Sequence, residues 1–313
     1  MRARSLLVTV WGDTIRPLGG EIGAGSLIRL MAPLRLTPRA VRAAASRMVR
    51  QGWLRVRRAG RRAFYSLTAA GEWRVEHGVR RVYRTRPEPW DGRWRLLTYV
   101  IPEGRRAERD RLRRELAWLG LGPLSRGTWL TPHDLAPVLR EVVASHGLCG
   151  EVALFEARHL GPEEPQALVS RCWDLDAVAA RYRRFIARQR PRAEAIRQRQ
   201  RAGRLSDAAA FAERTRLVHE YRKFLFIDPG LPEELLPPGW PGREAARLFR
   251  EAHEVLSEPA RRFVASAVEA PPGAAPAAHR ASRFASADPR PDGSAPLSRW
   301  PGRRLPAPSR PRP

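Results

Sequence analysis

LTPRAVRAAASRMVRQGWLRVRRAGRRAFYSL, residues 36–67, is the stretch on which the fold turns. Thr37 is a good helix N-cap, and Pro38 suits the first helical position, where the missing N–H is not needed. Val41, Ala44, Ala45 and Met48 then recur at helical spacing and make one apolar stripe. At 100° per residue the opposite face carries Arg39, Ala43, Ser46 and Arg50, with Arg42 and Arg47 flanking it. Gly52 ends the helix. Small residues between arginines allow close approach to a groove floor, and the guanidinium fork matches O6 and N7 of guanine. Each arginine taken singly is also compatible with an ordinary solvated face. The whole arrangement points to double-stranded DNA.

A hairpin follows directly. Residues 53–58 alternate apolar and basic side chains, as a half-buried strand does. Residues 59–62, Ala-Gly-Arg-Arg, make the turn, and residues 63–67 return. Helix, strand, basic turn and strand is the order of a winged helix-turn-helix. It sets Arg58, Arg61 and Arg62 on the wing, over phosphates or the minor groove. Residues 22–34 are expected to form the supporting helix. Thr68 is expected to cap a helix over residues 69–84 whose apolar positions are a candidate dimer interface.

Charge supports a polyanionic partner through its distribution more than through its total. The 313 residues carry a formal net charge of +26, but Lys223 is the only lysine, so a GC-rich coding bias accounts for part of the arginine load. Residues 1–87 hold nineteen arginines against four acids, more than half of the excess on little over a quarter of the chain. No run of eighteen apolar residues exists, so no membrane partner is expected. Asp13 and Arg16 interrupt the short apolar stretch after Met1, which argues against a secretory signal. Two cysteines, Cys149 and Cys172, are too few for a disulfide framework. A cytoplasmic protein is the expectation.

Four regions follow from the pattern, and together they predict an α+β chain. Residues 1–87 are the winged helix-turn-helix. Residues 84–91 carry two prolines and read as a linker. Residues 92–166 give strand signals at 93–101, 127–130 and 151–157 and helix signals at 105–119 and 132–146. That βαββαβ-like order predicts a ferredoxin-like middle domain. Residues 170–268 are mainly helical, broken over Asp228–Gly242 by five prolines. Residues 271–313 carry eleven prolines and eight arginines with few large apolar side chains, the composition of a disordered tail.

At this point the chain resembles a known family, the PaaX repressors of phenylacetic acid degradation genes. The likeness covers residues 5–268. It rests on Trp11-Gly12-Asp13, Gly19-Gly20-Glu21-Ile22, Gly25-Ser26-Leu27, Val41-Arg42, Gly52-Trp53-Leu54 and residues 60–67. Trp90-Asp91-Gly92-Arg93-Trp94 opens the middle region, and residues 228–237 with Trp240 are a further match. The resemblance implies a winged helix, a ferredoxin-like middle domain and a helical C-terminal domain. It also implies a homodimeric repressor of operator DNA, relieved by phenylacetyl-coenzyme A. The proline-rich tail departs from the family pattern.

An acyl-coenzyme A effector needs cations for its phosphates, rings for its adenine and an apolar slot for its acyl group. Tyr182, Arg183, Arg184 and Phe185, and then His219, Tyr221, Arg222 and Lys223, mix such groups on two C-terminal helices. The competing reading is an amphipathic core helix with arginines reaching to solvent.

No catalytic residue, metal site or cofactor is expected. The seven histidines show no metal spacing. Asp228, Glu233 and Glu234 lie in a proline-rich loop, where Glu233 and Glu234 read as exposed turn residues. The middle domain also resembles the small ferredoxin-like nuclease of CRISPR adaptation, which carries an acid at the end of its first strand. Here that strand end reads Tyr99-Val100-Ile101-Pro102-Glu103, and Glu103 reads as a helix start. The alternatives to a repressor are therefore a metal-dependent nuclease and an architectural DNA-binding protein without a ligand.

Overall fold

The stripe of Val41, Ala44, Ala45 and Met48 is buried, and its helix α3 spans Pro38–Arg50. Thr37 caps it by accepting a hydrogen bond from the Ala40 N–H, and Gly52 closes it with a φ of +72° that only glycine adopts freely. In this computed structural model the described residues are 2–84 and 89–269. The tail expected over 271–313 and part of the linker expected over 84–91 fall outside them.

The N-terminal unit begins with α1 (Ala3–Val10), a π-helical turn at Trp11–Ile15 and a short strand β1 (Glu21–Gly23). Helix α2 (Ala24–Met31) precedes α3, and the hairpin of β2 (Leu54–Ala59) and β3 (Arg62–Leu67) follows it. The supporting helix expected over residues 22–34 is shorter than that. Glu21, Ile22 and Gly23 pair with Ser66, Tyr65 and Phe64 of β3, so the sheet order is β1-β3-β2. Sheet pairing across more than forty residues overrides a local helical preference at these positions.

Helix α4 (Ala69–Val82) begins where the hairpin ends. Its apolar positions, expected to serve a dimer interface, are covered by this chain instead. Val75, Gly78 and Val82 are buried. A Cβ on Gly12 would stand 3.1 Å from Val79, and the Trp73 ring lies 5.5 Å from the Trp118 ring of the middle region. An amphipathic stripe says that a face will be buried but not against what.

Residues 94–157 form β4 (Trp94–Tyr99), α5 (Arg106–Leu119), β5 (Gly122–Ser125), β6 (Thr128–Thr131), α6 (Ala136–Ser145) and β7 (Val152–Ala157). The antiparallel order β5-β6-β4-β7 is that of a ferredoxin-like sheet. Strand alternation divides its two faces. Leu97 and Trp129 pack with Leu112 and Leu116 of α5 and Leu139 of α6. Trp94 and Leu130 point the other way, into the core of the C-terminal helices.

Those helices are α7 (Pro165–Cys172), α8 (Leu175–Arg201), α9 (Asp207–Tyr221) and α10 (Gly242–Ala267). Asp174 caps α8 and Ser206 caps α9. The N-terminal unit does not bury its core alone. Phe211 and Ala212 of α9 and Ala260, Val264 and Ala267 of α10 join Leu7, Trp11, Leu30 and Met48 in one apolar cluster. The chain is α+β, with a helical C-terminal region that touches both other parts.

Candidate functional site

Helix α3 presents Arg39, Arg42, Ala43, Ser46, Arg47 and Arg50 to solvent, all six exposed. The face drawn from the 100° spacing is therefore the outer face. Arg50 Nη1 donates to Ser46 Oγ at 3.2 Å, one turn back. Among the described residues, no carboxylate stands at ion-pairing distance from Arg39, Arg42, Arg47 or Arg50. Four uncompensated guanidinium groups on thirteen residues make a strongly positive surface.

The hairpin extends that surface. Gly60 takes a φ of +57° at the tight turn, and Arg58, Arg61 and Arg62 are exposed around it. The strand arginines are not equivalent. Arg57 grips Glu21 of β1 through two bonds, Nε–Oε1 at 3.1 Å and Nη2–Oε2 at 2.7 Å. The Arg57 hydrogen bond holds the Glu21 carboxyl below its usual range. Arg55 donates to Ser66 Oγ across the hairpin. Arg62 lies 3.5 Å from Glu269, which also pairs with Arg29 of α2 at 2.7 Å. Arg58 and Arg61 have no such partner among the described residues.

The two aromatic and basic groups on α8 and α9 do not form one site. Tyr182 and Phe185 point inward and Arg183 and Arg184 outward, as a 100° step requires. Phe185 is sealed in the core against Tyr221 and Phe224. His219 is buried with Nδ1 3.0 Å from Thr9 Oγ1 of α1. Desolvation, helped by Arg222 and Lys223, lowers its pKa to about 4. Arg222 donates to Thr9 and to Ser5, and burial lowers it to about 10. Lys223 pairs with Glu220. His219 and Arg222 thus fasten α9 to the N-terminal helix.

Tyr182 and Tyr221 alone of that group line a cavity of about 290 Å³ where α4, α8, α10 and the 228–240 loop meet. Arg81 and Arg84 enter it from the end of α4, and Asp228, Trp240 and Arg243 from the loop and α10. Arg81 donates to the Trp118 and Asp228 carbonyl oxygens at 2.5 and 2.7 Å. Burial lowers its pKa to about 10. Asp228 accepts from the Tyr182 hydroxyl and, at 2.7 Å, from the Gly230 N–H. Burial first and Asp228 second push the Tyr182 phenol well above its usual range. Arg81, Arg84 and Arg243 escaped the reading of the sequence because only the folded loop brings them together. The signal available is the 228–240 segment itself, whose Asp228 and Trp240 carry part of the family resemblance.

Glu103, the acid that follows the first strand of the middle domain, does not stand free. Glu103 opens the turn before α5 and pairs with Arg109 at 2.8 Å, which holds it below its usual range. Among the described residues, no group of three or more His, Cys, Asp or Glu side chains is placed to hold a metal ion. Glu233 and Glu234 are exposed. No helix of the described residues is long and apolar enough to cross a membrane.

Three family models cover almost all of the described chain. They are a PaaX-like protein over residues 2–71, a PaaX protein central Cas2-like domain over 87–169 and a PaaX-like protein C-terminal domain over 173–266. The chain belongs to the PaaX family. It is 33% identical over 277 residues to the transcriptional repressor PaaX of Escherichia coli (strain K12), covering 87% of this chain and 86% of that one. Its fold is also similar to the uncharacterized protein Rv0674 from Mycobacterium tuberculosis. That match has a TM-score of 0.51 and 25% identity and covers 84% of this chain and 98% of that one.

Proposed function

We propose that this PaaX family member is a homodimeric, sequence-specific DNA-binding repressor, released from its operator by an aryl-acyl-coenzyme A such as phenylacetyl-coenzyme A. One observation carries the DNA reading. An exposed helix bears four arginines without carboxylate partners around Ala43 and Ser46, and a basic hairpin stands beside it. Arg39, Arg42, Ala43, Ser46, Arg47 and Arg50 enter the major groove as the base-reading set. Arg58, Arg61 and Arg62 act as a wing on the phosphates. No reaction is asked of these residues. Occupying the operator is the whole mechanism, and residence there depends on charge and groove fit.

A single helix reads only a few base pairs, so genomic specificity needs two half-sites about one helical turn apart. With α4 buried, the two-fold contact falls to the middle domain. There β7 is one of the two outer strands; Phe155 on it and Leu160 just beyond it are 55% and 92% exposed. The effector reading rests on the family resemblance of the sequence and on the arginine and aromatic lining of the cavity.

The test is a full-chain binding assay on duplexes selected from a random pool. A two-fold consensus and a slope of log K on log salt of roughly −5, for about six neutralised phosphates, are expected. Binding without sequence preference identifies an architectural protein and overturns the repressor reading. So does magnesium-dependent cleavage of the duplex, in favour of a nuclease.

A further inference from the structure

Helix α4 runs from the junction beside the basic face to the cavity. At its N-terminus Thr68 donates to the Gly52 carbonyl at 2.6 Å and accepts from Gly71 at 3.1 Å, so it is tied to the residue that closes α3. The helix also lies against the Trp53 carbonyl so closely that a Cβ on Gly71 would stand 2.4 Å from that oxygen. At its other end Arg81 and Arg84 form part of the cavity wall. Those two contacts lie at opposite ends of one stiff helix of fourteen residues.

The cavity has the chemistry of an anionic aromatic ligand. Its lining carries four guanidinium groups, Arg81, Arg84, Arg243 and Arg250, against the two carboxylates of Asp228 and Glu233. Both carboxylates are engaged. Asp228 holds the Tyr182 hydroxyl, and Glu233 pairs with Arg243 at 3.0 Å. Among the described residues no carboxylate stands at ion-pairing distance from Arg81 or Arg84. Rings of Tyr182, Tyr221, Phe224 and Trp240 make the apolar side. A cavity of about 290 Å³ is at the small end of ligand sites, which run from ~300 Å³ upward. It admits an aromatic acyl group and its carbonyl, not a whole nucleotide. Arg243, 61% exposed, stands at the mouth, where a phosphate-bearing remainder would emerge.

We propose that this junction cavity is the effector seat and that its occupant acts on DNA through α4. The acyl ring lies among the aromatic side chains and the carbonyl faces Arg81 and Arg84. The anionic remainder leaves over Arg243. Drawing Arg81 and Arg84 toward the ligand displaces the end of α4, and its other end carries the Gly52–Trp53 junction that orients α3 and the hairpin. This assignment rests on the release by an aryl-acyl-coenzyme A proposed above.

The experiment uses the full-length protein, phenylacetyl-coenzyme A as the probe, calorimetry for binding and fluorescence anisotropy for release of a selected duplex. Ala246→Trp fills the cavity from α10 without changing charge, and Arg84→Gln removes one cation from its wall. Both variants are expected to bind the duplex within twofold of wild type, which reports folding, and to bind the thioester at least tenfold more weakly. Wild-type thioester affinity in two variants that still bind DNA places the seat elsewhere and overturns the proposal while release by the thioester stands. No binding of the thioester by the wild-type protein overturns both. Release by free coenzyme A at the same concentration as by the thioester identifies charge competition at the arginine face and also overturns the assignment.

Discussion

Arg214 of α9 sets its Nη2 2.9 Å from Oδ1 of Asp13, and this buried ion pair joins the helical C-terminal region to the π-helical turn of the N-terminal unit. Tyr83 donates to the same carboxylate oxygen, and His253 Nε2 of α10 lies 3.4 Å from it. Burial is the largest influence and alone would lower the Arg214 pKa, but Asp13 and Tyr83 together more than offset it and keep the guanidinium above its ordinary range. Four elements therefore share one carboxylate. π-Helical turns interrupt the regular ladder, and here the interruption leaves Asp13 buried at the joint.

Breaking that pair leaves a charge without its partner in a dry site. Arg214→Met and Asp13→Asn are each expected to lower unfolding stability by about 3 kcal/mol. The double variant should lose less than the sum, because neither orphan charge then remains. Urea midpoints of the four proteins check this. A loss below about 1 kcal/mol in both single variants means that the pair is solvated and does not hold the joint.

Base readout and phosphate contact separate by position. Arg39→Ala and Arg50→Ala are each expected to cost about 1–3 kcal/mol on the best duplex and to relax base preference there. Arg61→Ala, at the hairpin turn, should weaken all duplexes alike and make the salt slope shallower by about one. Arg62→Ala should do less than Arg61→Ala, because Glu269 already neutralises part of its charge. Competition titrations against scrambled duplexes distinguish the outcomes. Equal weakening of every sequence by the Arg39 and Arg50 variants means that α3 does not lie in the groove as proposed.

Acid should loosen the joint at His219 before carboxylates titrate. Its pKa falls from an ordinary 6.5 to about 4 through desolvation first, and then through Arg222 and Lys223 on its own chain segment; Glu220 opposes them. The unfolded chain takes up the proton near pH 6.5 and the folded chain does not. Stability is therefore full above that pH and declines as pH falls toward 4. The decline between pH 7.5 and pH 5 should be on the order of 2 kcal/mol. His219→Gln keeps a group that can bond to Thr9 and should flatten this part of the profile. Thermal unfolding of both proteins across that window is the measurement. An unaltered slope in the variant assigns the acid sensitivity to other groups, of which His133, also lowered to about 4 by burial and Arg84, is the first to examine.

The elements legible in the sequence were those whose reasons are local. Thr37, Pro38 and Gly52 bound α3 by capping and backbone freedom, and the alternation in residues 53–58 needs only a sheet to face. Glu21-Ile22-Gly23 and Gly122–Ser125 were not legible as strands. Each is three or four residues with glycine or proline, and each is a strand because β3 or β6 supplies the partner. The cavity was half legible. Tyr182 and Tyr221 announce aromatic character, but Arg81 reaches Tyr182 from about a hundred residues away, through Asp228. His219 and Arg222 looked available for a ligand because nothing near them in sequence reveals Thr9 and Ser5 as their partners.

Two glycines of the N-terminal unit should answer in opposite directions when replaced by alanine. Gly71 has an ordinary helical backbone, so the added methyl brings no torsional strain. It would instead stand 2.4 Å from the Trp53 carbonyl oxygen and 3.1 Å from Leu67. Carbonyl backbone cannot rotate away as a side chain does, so α4 or the start of β2 must shift. Gly71→Ala is expected to lose about 1–3 kcal/mol of stability. Duplex affinity should fall as well, because Trp53 follows the residue that closes α3. Gly25, exposed near the start of α2, meets only the end of Arg29 at 3.8 Å. Gly25→Ala should therefore gain roughly 0.5 kcal/mol from helix propensity and leave duplex affinity within twofold. If Gly71→Ala keeps both its urea midpoint and its duplex affinity, α4 is not held tightly against the hairpin. It could not then carry a displacement from the cavity to the arginines of α3.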